Sequence, residues 1–224
     1  MMAQSLSGAI KKGDLAALRA MIAAGAVLNP KDKYQSPLLD AVYKPDPGFV
    51  IDLAEAGAST KIRFDDRSTL LHPPAQKGYA KVVKALLRFG ADVNARDCFG
   101  RSALQFAVDA RSLETAQALL DGGADPDSRN DEGITSLMIA AINQQAELLD
   151  LLLKAGADPN RKDKEGHVAL MWAAMKGSVT ILQRLVAGGA DPKLKDKEKL
   201  TALDHARQKR KAAAVQFLSK LEMA

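Results

Sequence analysis

Cysteine is nearly missing from this chain. Cys98 stands alone among 224 residues, which excludes an internal disulfide and any thiolate-rich zinc or iron–sulfur site. Stability is therefore expected to come from packing, and the setting to be reducing and cytoplasmic. Aromatic residues make up only 4%, so any that stands outside the core is conspicuous. No stretch approaches the length of a membrane span, and Lys11, Lys12, Asp14 and Arg19 interrupt every apolar run near the start; neither a leader nor a membrane anchor is expected. The motifs that cradle phosphate or build a hydrolase are missing as well. There is no Gly-Lys pair, no Gly-x-Ser-x-Gly, no Gly-x-Gly-x-x-Gly and no His-Glu-x-x-His. The three histidines, His72, His167 and His205, fall at different places in different parts of the chain. They are expected neither to converge on a metal nor to form a triad.

Apolar residues, in contrast, are plentiful at 47% against 26% charged, enough for a real core, and they recur. Gly-Ala begins at Gly25, Gly57, Gly90, Gly123, Gly156 and Gly189, a step of 32 and then four steps of 33. The same ruler places Leu at 6, 38, 71, 104, 137, 170 and 203, and Ala three positions later in every unit except the third, where Pro74 intrudes. Seven units fill nearly the whole chain. Within each, an apolar stripe at helical spacing, as in Leu148, Leu149, Leu152 and Leu153, marks the second of two short helices. The Gly that follows suits a left-handed turn. Ser36, Thr69, Ser102, Thr135 and Thr201 stand where a hydroxyl can cap the first helix, and Val168 breaks that series. Pro73 and Pro74 are expected to delay or distort their helix, and Lys44-Pro-Asp-Pro-Gly48 replaces the usual interhelical turn, so the stack should loosen between units two and three.

Thr69-Leu-Leu-His72 and Leu86-Leu-Arg-Phe-Gly-Ala-Asp-Val-Asn94 resemble the signature and the ending of ankyrin repeats, and the likeness extends from residue 4 to about 221. The resemblance implies an all-α solenoid of stacked helix–turn–helix units with projecting hairpin-like loops. Its expected parts are an N-terminal cap (1–29), five internal repeats (30–193) and a C-terminal cap (194–224), in one continuous domain. It also implies that binding residues lie on loop tips and on the open side of the first helices. Transferred unit by unit, those positions include Tyr43, Phe99, Arg101, Ile134, Ile142, His167, Met175 and Lys176. Tyr43, Phe99, Ile134, Ile142 and Met175 are apolar where the repeat needs nothing apolar. They are either anchors for a partner protein, with Arg101 beside Phe99, or scattered side chains packed on neighbouring loops. His167 on its tip is either a contact or simply exposed. Trp172 follows the Leu column by two, as Phe106 and Ile139 do, and is expected in the core.

Asp92, Asp125, Asp158 and Asp191 repeat with the Gly turn and are read as turn formers. The net charge of +5 arises between Lys193 and Lys211, where eight basic residues face three acidic ones. That segment is either a soluble cap or a polyanion-binding surface; no aromatic residue lies among its charges to stack on a base. The expectation is a monomeric, non-enzymatic module without cofactor that binds another protein as adaptor, scaffold or inhibitor. Nucleic acid and membrane are not expected partners.

Overall fold

The computed structural model describes residues 5–222; the outermost residues of both expected caps lie outside it. Among the described residues fourteen α-helices follow one another in pairs: α1 (Leu6–Lys12) and α2 (Leu15–Ala23), α3 (Pro37–Ala41) and α4 (Gly48–Glu55), α5 (His72–Lys77) and α6 (Ala80–Arg88), α7 (Ala103–Asp109) and α8 (Leu113–Asp121), α9 (Ser136–Ile142) and α10 (Ala146–Lys154), α11 (Ala169–Lys176) and α12 (Val179–Ala187), α13 (Ala202–Gln208) and α14 (Ala212–Glu222). Except between α3 and α5, first helices pack on first helices and second on second, each against the adjacent unit. The fold is thus a helical solenoid, with only isolated β-bridges at Arg63–Thr69, Arg96–Ser102 and Arg129–Thr135 among the described residues.

The Leu column from Leu38 to Leu203 is buried, and so are the Ala residues three positions on. A seven-residue helix of about 10 Å cannot bury its own apolar face; it does so only by touching the units on either side. Met138 and Met171 are fully enclosed in that shared core. The recurrent glycines close the second helices with φ between 79° and 97°, a region closed to most L-residues by their Cβ.

Capping follows the sequence only in part. Ser102, Thr135 and Thr201 each accept a backbone N–H from the residue three ahead, and the first and last form full capping boxes. Ser36 does not: Pro37 opens α3 and the Ser36 hydroxyl is buried without a hydrogen-bond partner. Thr69 is left outside α5, which begins at His72 because the two prolines fit only the first turn. Val168, with no side-chain oxygen, leaves α11 uncapped. The delayed start of α5 and the five residues of α3 have a joint consequence. α3 and α5 make no substantial contact, and units two and three are joined chiefly through α4 and α6.

Candidate functional site

The loops between units fold back on themselves around an acidic or amide side chain. Asp97 Oδ1 accepts the N–H groups of Phe99 (2.9 Å) and Arg101 (2.8 Å). Asn130 does the same for Glu132 and Ile134, and Asp163 for Glu165 and His167. In the last loop Asp196 accepts from Leu200. Consecutive tips are then stitched together. The N–H of Cys98 donates to the Asp66 carbonyl (2.6 Å), Asp131 to Phe99 (2.9 Å), Lys164 to Glu132 (2.9 Å) and Lys197 to Glu165 (3.0 Å). Close approach requires glycine at the tip: a Cβ on Gly133, at φ 79°, would lie 2.9 Å from the Asp163 Cα. The tips therefore form a continuous, preordered edge. The acidic column of the Gly turn is structural, since Asp92, Asp125, Asp158 and Asp191 each accept the N–H two residues on.

Of the residues singled out for contact, Phe99 (61% exposed) and Tyr43 (53%) are bare. Arg101 lies beside Phe99, its guanidinium 5.1 Å from that ring and 4.4 Å from the ring of Phe106. A salt bridge of 2.8 Å to the buried Asp97 carboxylate fixes it there. Lys176 is exposed at the end of α11. Ile134 and Met175 are half-buried and packed against the core, so their apolar character serves the stack; Ile142 is also half-buried. Trp172 is half-buried on the core and its indole N–H donates to Asp163 (3.2 Å).

A groove of about 520 Å³ runs across units two and three, lined by Tyr34, Leu39, Tyr43, Phe64 and Pro73 with Asp65 and Asp66 at its edge. Tyr34 is half-exposed, stacks on Phe64 at 5.5 Å between ring centres, and donates its hydroxyl to Asp65 (2.9 Å). Lys33 and Tyr34 together hold the Asp65 carboxyl below its usual range. Tyr34 was not among the residues singled out, although a signal existed: it occupies the column of the loop glycines Gly100, Gly133 and Gly166, where an aromatic side chain has no place inside the repeat.

The expectation that the histidines stay apart is overturned for two of them. His167 and His205 are 38 residues apart, one period plus five, and stacking of the last two units brings their rings to 5.3 Å between centres. Both face Asp196, whose Oδ2 is 2.6 Å from His205 Nε2 and 3.6 Å from His167 Nε2. His167 is therefore not a bare tip residue: it packs edge-on to Trp172 and sits 3.3 Å from Asp163. Burial works to raise the Asp196 carboxyl, but the Leu200 N–H and His205 outweigh it and hold it below the usual range. His72 stays apart in the framework, with Nδ1 accepting the Thr69 N–H and Nε2 facing the Arg101 carbonyl.

The basic residues of the last unit fall at two ends of α13. Lys193, Lys195, Lys197 and Lys199 are exposed on the loop before α13, whereas Arg207, Lys209 and Arg210 are exposed at its far end.

A model of ankyrin repeats in three copies matches residues 38–130, 71–163 and 137–223. The chain belongs to the ankyrin-repeat family. Ankyrin repeats generally mediate protein–protein interactions, and the fold is typically a non-enzymatic interaction module. The ankyrin repeat domain of Bcl-3, a member of the IkappaB protein family, superposes with a TM-score of 0.85 at 31% identity, over 96% of this chain and 99% of that one. Zygote-specific protein 3 of Chlamydomonas reinhardtii is 39% identical over 110 residues, which is 48% of this chain and 29% of that protein; the match spans less than a third of the relative. No helix among the described residues is long and apolar enough to cross a membrane.

Proposed function

We propose that this ankyrin-repeat chain is a non-enzymatic module that holds another protein against its loop tips and the open side of its first helices. The single observation that carries this reading is a bare aromatic surface: Phe99 on the ordered edge and Tyr34 and Tyr43 in the groove beside it are exposed in a chain with ten aromatic residues in all. Aromatic side chains flanked by arginine are the usual anchors of protein interfaces. Because the tips are fixed to one another, little ordering is left for binding to accomplish. Phe99 with Arg101 supplies one anchor, and the Tyr34–Tyr43–Phe64 groove supplies another. The terminal units act as caps on a single continuous stack, and the working form is a monomer.

The test is a Tyr43→Ser, Phe99→Ser double variant, compared with the parent chain in affinity capture from the source cell at two salt concentrations. Proteins retained by the parent at both salts are expected to be lost by the variant, whose thermal midpoint stays within about 2–4 °C because a surface change rarely exceeds ±0.5 kcal/mol. Unchanged capture by the variant would remove these anchors from the interface. Ile134→Ser is not suited to the same purpose, since Ile134 packs against the core and its loss should lower stability instead. Retention that collapses between low and moderate salt would favour a polyanion held by the basic last unit.

A further inference from the structure

We propose that His167, Asp196 and His205 form a binding site for a divalent transition metal ion of the zinc type, which clasps the last ankyrin unit to the one before it. The proposal is independent of the partner surface.

Three donor atoms from three segments converge: one each from His167, Asp196 and His205, all within 4.8 Å of one another. The set is two imidazoles and one carboxylate, which suits a borderline-soft divalent ion rather than calcium or magnesium. Tetrahedral zinc bonds of about 2.1 Å place neighbouring donor atoms about 3.4 Å apart. His167 Nε2 and Asp196 Oδ2 stand at 3.6 Å, close to that edge, and His205 Nε2 at 2.6 Å from the same oxygen needs a shift of under about 1 Å. The side chains of Asp196 and His205 are 1% and 7% exposed, and that of His167 is 19% exposed. The cluster is thus enclosed except on the His167 side, where an ion can enter and a water can complete the coordination.

The surrounding shell points the same way. His167 Nδ1 lies 3.3 Å from Asp163 Oδ2, and Asp163 is itself anchored by the N–H groups of Glu165 and His167 and by the Trp172 indole. A carboxylate that accepts a hydrogen bond from Nδ1–H leaves the lone pair on Nε2, the pattern that accompanies metal-bound histidine. His167 Nε2 faces the Asp196 oxygen at 3.6 Å, where a lone pair on that nitrogen would be directed at an ion held between them. Two carboxylates, Asp163 and Asp196, are buried at this joint without a lysine or arginine partner among the described residues. Two units earlier the equivalent Asp97 is neutralised by Arg101. At 163 and 196 only imidazoles and N–H groups stand in that place, and a divalent cation would add the fixed charge that arginine gives at 97.

Trp172, the only tryptophan, reports on the site because its ring is 5.1 Å from that of His167. The untagged full chain is titrated with Co²⁺ at about pH 7.5 and Trp172 fluorescence is read; Zn²⁺ is then added in competition. Expected are saturable quenching at one Co²⁺ per chain, reversal by Zn²⁺, and a thermal midpoint that rises with Zn²⁺ and returns with chelator. His167→Gln, at the partly exposed ligand, abolishes the saturable quenching while the helical circular dichroism is retained, and His72→Gln leaves it intact. Asp163→Asn weakens Co²⁺ about 10–100-fold, as losses in the supporting shell do. Absence of saturable quenching in the parent chain, or its survival in His167→Gln, overturns the proposal and leaves a carboxylate shared by two histidines.

Discussion

His72 shows how one side chain can serve two units. Its ring is buried, takes the Thr69 N–H on one nitrogen and meets the Arg101 carbonyl of the following loop with the other, 3.3 Å away. Burial pushes its pKa below the ordinary value, with the Arg101 carbonyl acting in the opposite sense. The folded chain therefore holds fewer protons here than the unfolded chain. Its contribution to stability is complete above the unfolded value near 6.5 and is lost as the pH falls through that value towards the folded one. His72→Gln is expected to lower stability by about 1–3 kcal/mol at neutral pH, with the gap to the parent narrowing by about pH 5. Thermal melts of both chains across that range check it, and a pH-independent gap would count against the assignment. Residues of this kind were partly readable in advance. His72 announced itself through its signature, and Phe99 through its place on a tip. Ile134 and Met175 share apolar character with Phe99, but a one-dimensional pattern does not show that they pack against the core. The pairing of His167 with His205 escaped for the same reason: it depends on an offset of five residues across a stacking contact, not on equivalent columns.

At the scale of the helix, the first helices differ mainly in how they begin. Thr135 and Val168 have nearly the same backbone angles, φ −97° and ψ 166° against φ −106° and ψ 165°, and both are buried. Only the first caps its helix. Val168→Thr should place a hydroxyl where Thr135 has one and raise stability by up to about 1 kcal/mol, a shift of about 2–4 °C for a chain of this size. Thr135→Ala should cost about the same. Calorimetry of the two variants decides it; a destabilised Val168→Thr would mean that the hydroxyl is buried without reaching its donor. Helix positions and turns were legible because Leu, Ala and Gly recur in register. The loss of capping at Ser36 and Thr69 was harder to read, since it comes from prolines one and four residues downstream that shift the helix start.

Over the whole molecule, stability is a sum of unit and seam contributions, and the seams are unequal. Units two and three have no substantial α3–α5 contact, where every comparable pair has one. The first two units should therefore open at lower denaturant than the rest. Trp172 lies in the sixth unit and circular dichroism reads all helices, so the tryptophan transition is expected at higher denaturant than the first part of the helical loss. Coincident curves would show that the seam is as strong as the others. The sequence pattern foretold this looseness from Pro73, Pro74 and the Lys44–Gly48 stretch. The groove beside it was not foretold, because it exists only once two units stand side by side.

The stitching of the loop tips has one more consequence. Each rung joins positions 32 residues apart, from Asp66 to Cys98 through to Glu165 to Lys197. Excising a complete internal module would bring chemically matching donors and acceptors back together at the new junction. Removing one or two residues from any tip would leave every later rung intact but strand the pair at the cut. Chains built this way change length in whole modules, and a gene encoding one tolerates duplication far better than slippage.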